Sequence, residues 1–211
     1  MRITRRRGMT LSILELALLI GVTVFLLTGA WAANTQGELA DRVVRLHVIA
    51  NSDAEEDQAL KLQVRDAVLA RTEAILRASA DREEAESRLA AALPELERLA
   101  EETVAASGFD YGVTAELAET SFPTKDYDGF SLPAGRYLAL RLVIGQGTGQ
   151  NWWCVVFPPL CTAAASEVPE TALAAGLTED QVSLMTGEDD GYVLKFKVVE
   201  WWEELWQRLE R

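Results

Sequence analysis

The sequence predicts an α+β domain, helices packed on a mostly antiparallel sheet, preceded by an N-terminal hydrophobic signal or anchor helix. Apolar residues alternate with period two in several separate stretches, two helical stretches follow one another with no strand between them, and no regular β-α-β alternation runs through the chain. At 211 residues and 49% hydrophobic content, the chain is long enough for one domain with a true core plus an appendage.

Residues 1–33 read as a signal peptide or membrane anchor. Arg2, Arg5, Arg6 and Arg7 precede LELALLIGVTVFLLTGAWA, in which Leu16 to Leu27 carries no charge, and Ala30-Trp31-Ala32 supplies the small-x-small pattern of a cleavage site. If uncleaved, Met9 to Ala33 is just long enough to span a bilayer, with Glu15 close to the interface. In both cases the arginines keep that end in the cytoplasm, and everything after residue 33 lies beyond the membrane.

The body is expected over 40–199. DRVVRLHVIAN holds a strand with Val44, Leu46 and Val48 on one face and Arg45 and His47 on the other. NSDAEED starts a helix, with Ser52 and Glu55, or Asp53 and Glu56, as a capping box. Along that helix Leu60, Val64, Val68 and Ile75 form one stripe, and Leu62, Leu69 and Leu76 a second, which predicts a sheet on one side and another helix on the other. The second helix, 81–106, contains Pro94, which kinks or divides it. Strands follow at Tyr111 to Leu117 and at RYLALRLVIG, with a loop and its Asp128-Gly129 turn between them. Gly145, Gly147 and Gly149 then lead into WWCVVF, expected to pair with the preceding strand as an antiparallel hairpin. A short helix capped by Thr178, a strand through Tyr192, Leu194, Phe196 and Val198, and a C-terminal amphipathic helix, 200–211, carrying Trp202 and Trp206 and packed on the domain, complete the reading.

Charge excludes one class of function. Setting aside the four leading arginines and Glu15 from the 20 basic and 33 acidic residues leaves 16 against 32, a net charge of −16 for the remainder. Such a body repels polyanions, so nucleic acid is not an expected partner. Glu200, Glu203 and Glu204 likewise disfavour anionic lipid at the C-terminal helix.

Cys154 and Cys161 are the chain's two cysteines. Outside the membrane they can close a loop if Pro158 and Pro159 turn the chain back, and the alternative is two buried thiols. Export and the even count favour the bond. A single histidine and C-x6-C spacing do not make a metal site. His47 with Asp53 or Asp57 admits an acid–base pair, and so an exported hydrolase acting on cell wall or peptide, but helix capping explains the acids and Ser52 more simply. There is no nucleophile elbow, metal-ligand pair or phosphate loop, so no catalytic residue, metal, cofactor or small-molecule substrate is expected. Trp152 and Trp153 are neighbours on a strand and point to opposite faces, so one is a candidate binding anchor unless both faces are covered.

The blocks RLHVIANSDAEEDQALKLQVRDAVL and FPTKDYDGFSLPAGRYLALRLVIGQGTGQNWWCVVFPPLC, with the strand and helix order around them, resemble the stage II sporulation protein R family over residues 40–162. The resemblance implies an exported signalling protein without catalysis of its own. It would cross the forespore membrane into the space between the two cells and activate a membrane-embedded aspartic protease of the mother cell, stage II sporulation protein GA, which processes the sigma E precursor. Within the matching blocks, His47, Asn51, Ser52, Asp53, Asn151, Trp152 and Trp153 are the candidate partner-facing residues.

Overall fold

The computed structural model describes residues 13–187. The arginine cluster, the strand expected at 192–198 and the helix expected at 200–211 lie outside the described residues.

A four-stranded sheet carries the domain, in the order β2-β5-β1-β6: β1 is Val44–Ile49, β2 Val113–Phe122, β5 Gly135–Ile144 and β6 Asn151–Phe157. β2 and β6 pair antiparallel with their neighbours, while β1 and β5 run parallel. The fold is therefore α+β with a mostly antiparallel sheet. One feature differs from expectation. β5 and β6 do not form a hairpin, because β1 lies between them and pairs with both, Leu46 facing Leu140 on one side and Cys154 on the other. Alternation fixes which face a side chain takes and leaves the neighbouring strand undetermined.

As a central strand, β1 is buried along its whole length. Val44, Leu46 and Val48 enter a core with Leu138, Leu140, Leu142 and Ile144 of β5 and the apolar stripes of α2 (Glu55–Leu76) and α3 (Arg82–Ala106). Each such side chain contributes roughly 1.5–3 kcal/mol on burial. Leu60, Val64 and Val68 follow the expected stripe, but Leu62 is 40% exposed, so the second stripe is incomplete and Leu76 joins the same core. α3 passes through Pro94 as one helix, and Asp81 caps it by accepting a hydrogen bond from Glu84 N.

The opposite face of the sheet is covered too. Leu39 and Ala40, at the end of α1 (Ile13–Ala40), pack with Tyr137, Ala139 and Val155. The segment expected as a plain loop contains a hairpin, β3 (Lys125–Tyr127) with β4 (Phe130–Leu132), which turns at Asp128-Gly129 and adds Phe130 and Leu132 to this second core. α4 (Val168–Ala174) and α5 (Glu179–Thr186) contribute Val168, Ala172, Val182 and Met185. Thr178 and Gln181 form the capping box of α5, so the cap expected at Thr178 is present.

α1 runs unbroken through Ala30-Trp31-Ala32 and exposes Leu16, Leu18, Leu19 and Leu27. Among the described residues no helix is long and apolar enough to cross a membrane.

Candidate functional site

The two sequence blocks meet at one end of the sheet. β1 delivers Asn51 and Ser52 just past its C-terminal end, and β6 begins beside it, with Asn151 opposite Ile49 and Trp153 opposite His47. Between them the glycine-bearing segment 145–150 crosses the end of β1, and the backbone of that turn holds it: Thr148 N and Oγ1 donate to Asn51 O at 3.2 and 2.8 Å, and Gly149 N donates to Ala50 O at 3.0 Å. Gly145 has a φ of 56°, the left-handed region, and a side chain there would collide with Asn51 Oδ1. A Cβ at Gly149 would collide with the Ser52 carbonyl. The glycines thus admit close backbone approach.

Asp57 organises the turn. Its Oδ2 accepts from Asn51 Nδ2 at 2.8 Å and Ser52 Oγ at 2.6 Å, and the side chain is buried. The capping box expected from Ser52 or Asp53 does not form: Ala54 is the N-cap of α2 without a side-chain cap, and Ser52 Oγ instead accepts from Ala54 N. The Asp57 carboxylate, within the first helical turn, binds the Asn51 and Ser52 side chains instead of capping the helix, and its charge suits the positive end of the α2 dipole. The hydrogen bond from Ser52, then that from Asn51, hold the Asp57 carboxyl below the usual carboxylate range, against the opposing effect of burial. Asn51 Oδ1 in turn accepts from Gln146 N at 2.9 Å. Lys61, also buried, donates to Gln58 Oε1 and to Gln150 O at 2.6 and 3.0 Å, and burial lowers its pKa. Gln58, Lys61, Gln146 and Gln150 were not singled out from sequence. The i, i+3 spacing of Gln58 and Lys61 on α2 was the available signal.

His47 lies on the opposite face of the sheet from the α2 stripe, 8% exposed, with Phe122 and Trp153 ring centroids 5.8 and 6.1 Å away. Its Nε2 is 2.8 Å from Asn151 Oδ1. An amide oxygen only accepts, so the ring proton sits on Nε2 and Nδ1 is left buried without a partner. Burial holds the imidazole below its ordinary pKa; Arg141 and Arg45 push the same way and the Asn151 bond opposes them. Neither Asp53 nor Asp57 reaches this ring: Asp57 is committed to Asn51 and Ser52, and Asp53 is exposed. The pairing of His47 with Asp53 or Asp57 is not assembled.

Arg45, two residues before His47, is fully buried. Its guanidinium sits 3.9 Å from the Phe122 ring centroid and 5.0 Å from that of Tyr137, and Nη2 donates to the Tyr127 hydroxyl at 2.6 Å. The β3–β4 hairpin is thereby tied to β1.

Both tryptophans are half-buried. Trp152 packs on the helix-side core with the Arg65 guanidinium 4.5 Å from its ring, and Trp153 packs on the other core. The sheet is covered on both faces here. Cys154 and Cys161 are joined as a disulfide, their Cα atoms 6.0 Å apart, with Pro158 and Pro159 turning the chain between them. Of the candidate residues, Asp53 and Asn151 are exposed, Asn51 and Ser52 half-exposed, and His47 buried.

These features fall within a stretch that matches known proteins. Residues 40–167 match the family profile described as stage II sporulation protein R. The chain belongs to the stage II sporulation protein R family. It is 34% identical over 185 residues to stage II sporulation protein R of Bacillus subtilis (strain 168), covering 79% of this chain and 83% of that one. No solved structure matches it. The stretch that matches the family comprises the whole four-stranded sheet, the Asn51–Asp57 turn, the 145–150 crossing and both cysteines.

Proposed function

We propose that this protein is an exported intercellular signal of sporulation that activates a membrane-embedded aspartic protease of the mother cell, stage II sporulation protein GA, so that the sigma E precursor is processed. The observation that carries this reading is family membership across the folded body. Three features support it. The arginine cluster and apolar run precede the body in the order of an export leader or anchor. The disulfide suits an oxidising compartment. His47, the one histidine, is built into the sheet without an acid partner.

Such a signal does no chemistry. It works by binding the active arrangement of the protease more tightly than the inactive one, and the shift it achieves is limited by that difference in affinity. Activation from 1% to 99% active requires about a 10⁴-fold preference. The partner-facing surface is the end of the sheet that carries the exposed Asp53 and Asn151, with Asn51 and Ser52 shaping the turn and Trp152 and Trp153 fixing β6 on opposite faces beneath it.

The test is co-expression of the full chain with the protease and the sigma precursor in a host that lacks all three. Cleavage is expected with the intact leader and is expected to fail when residues 1–33 are removed, because the body then stays on the wrong side of the membrane. Equal cleavage in both cases contradicts export as a requirement.

A further inference from the structure

Where α2 ends, its last turn, the end of β6, Pro159 and α4 enclose an open cleft of about 520 Å³. The floor is apolar, formed by Leu76, Val156 and Phe157, which belong to the helix-side core. The rim is acidic. Glu73 on α2 and Glu167 and Glu170 at the start of α4 line it and are exposed. None of these three carboxylates forms an ion pair among the described residues. Arg77 is the single basic residue among the lining. The last turn of α2 carries no basic residue, so the negative end of its dipole adds to the field. Ser79 Oγ, also in the lining, is buried without a hydrogen-bond partner.

These properties select an occupant. An apolar pocket of this size admits one large aliphatic or aromatic side chain. Carboxylates without an ion pair around its mouth repel acidic flanks and attract basic ones. We infer that this cleft is a docking site for a partner chain that presents one large apolar side chain between Lys or Arg residues. The inference stands apart from the protease reading, since binding is measured without the protease.

The experiment titrates the full chain, in detergent micelles, against fluorescein-labelled peptides of sequence Ser-Lys-Phe-Lys-Ser and Ser-Glu-Phe-Glu-Ser, followed by anisotropy. The lysine peptide is expected to bind roughly tenfold or more tightly than the glutamate peptide, with the gap closing as salt shortens the Debye length below about 8 Å. Ala174→Trp, at an exposed lining position, fills the cleft and is expected to abolish binding without moving the unfolding midpoint. Glu73→Lys combined with Glu170→Lys is expected to reverse the preference. Equal binding of the two peptides, or undiminished binding to Ala174→Trp, overturns the inference. Lys195-Phe196-Lys197 of this chain offers the same chemistry. If Lys195→Glu with Lys197→Glu raises the affinity for the lysine peptide severalfold, the cleft is filled in cis and the partner assignment fails; unchanged affinity supports it.

Discussion

Asn51 and Asp57 are joined by a hydrogen bond of 2.8 Å from Asn51 Nδ2 to Asp57 Oδ2, and Asn51 Oδ1 accepts at the same time from Gln146 N. One side chain therefore links the first turn of α2 to the segment that carries the chain from β5 across β1 to β6. Because that crossing replaces a simple hairpin, its anchoring decides where β6, with Asn151, Trp152 and Trp153, is laid down.

Removing the Asp57 carboxylate takes a buried acceptor from two donors, Asn51 Nδ2 and Ser52 Oγ, in a half-buried turn. Asp57→Ala is expected to cost about 2–3 kcal/mol in urea unfolding. The carboxyl's folded pKa is depressed, so its stabilisation is present above the ordinary carboxylate value and is lost as pH falls through the lowered folded value. Asp57→Asn should flatten the acid limb of the stability curve relative to the native chain. An unchanged limb contradicts the role given to this group.

Gly149 is tested by contrast with Gly112. A Cβ at Gly149 meets the Ser52 carbonyl and Ala50, whereas at Gly112 it meets nothing within 4 Å. Gly149→Ala is expected to destabilise by about 1–3 kcal/mol through overpacking, and Gly112→Ala to stay within about 0.5 kcal/mol. Thermal melts of the two variants side by side give the comparison.

For His47 the sign of the pH effect follows from burial. Its folded pKa is depressed, so the unfolded chain takes up a proton first: the stability contributed is complete above the unfolded value of about 6.5 and is lost as pH falls through the folded value. His47→Gln is expected to reduce the slope of stability against pH below that value. The same variant is expected to retain precursor processing, an outcome the hydrolase alternative does not allow.

Peptide mapping without reductant is expected to recover Cys154 and Cys161 in one linked fragment. Replacing both by Ser is expected to lower stability by roughly 2–3 kcal/mol, the chain-entropy value for so short a loop. Two free thiols in the exported protein contradict the staple.

Much of the architecture was legible because it rests on local periodicity. The faces of β1 and β5, the Leu60–Val64–Val68 stripe and the Thr178 cap all follow from spacing. Features that depend on distant partners were not legible. The insertion of β1 between β5 and β6 is decided by competing strand pairings, and the β3–β4 hairpin is too short for a pattern to emerge. The turn at Asn51 was misassigned for a related reason: Ser52 and Asp53 have the composition of a cap, yet the Ser52 hydroxyl is drawn to Asp57, a partner five residues on. Sequence placed His47 on the face opposite Val44, Leu46 and Val48, where it lies, but held no sign that Arg45 beside it would be buried between aromatic rings.

The central claim is that the folded body, outside the membrane of the cell that made it, acts by contact with a membrane protease. It is tested most directly by adding the purified exported protein to the outside of cells that carry the protease and the sigma E precursor, and following precursor cleavage by immunoblot. The account predicts cleavage that depends on the added protein and saturates with its concentration. Full-length precursor at every concentration, with a folded and disulfide-bonded sample, contradicts it.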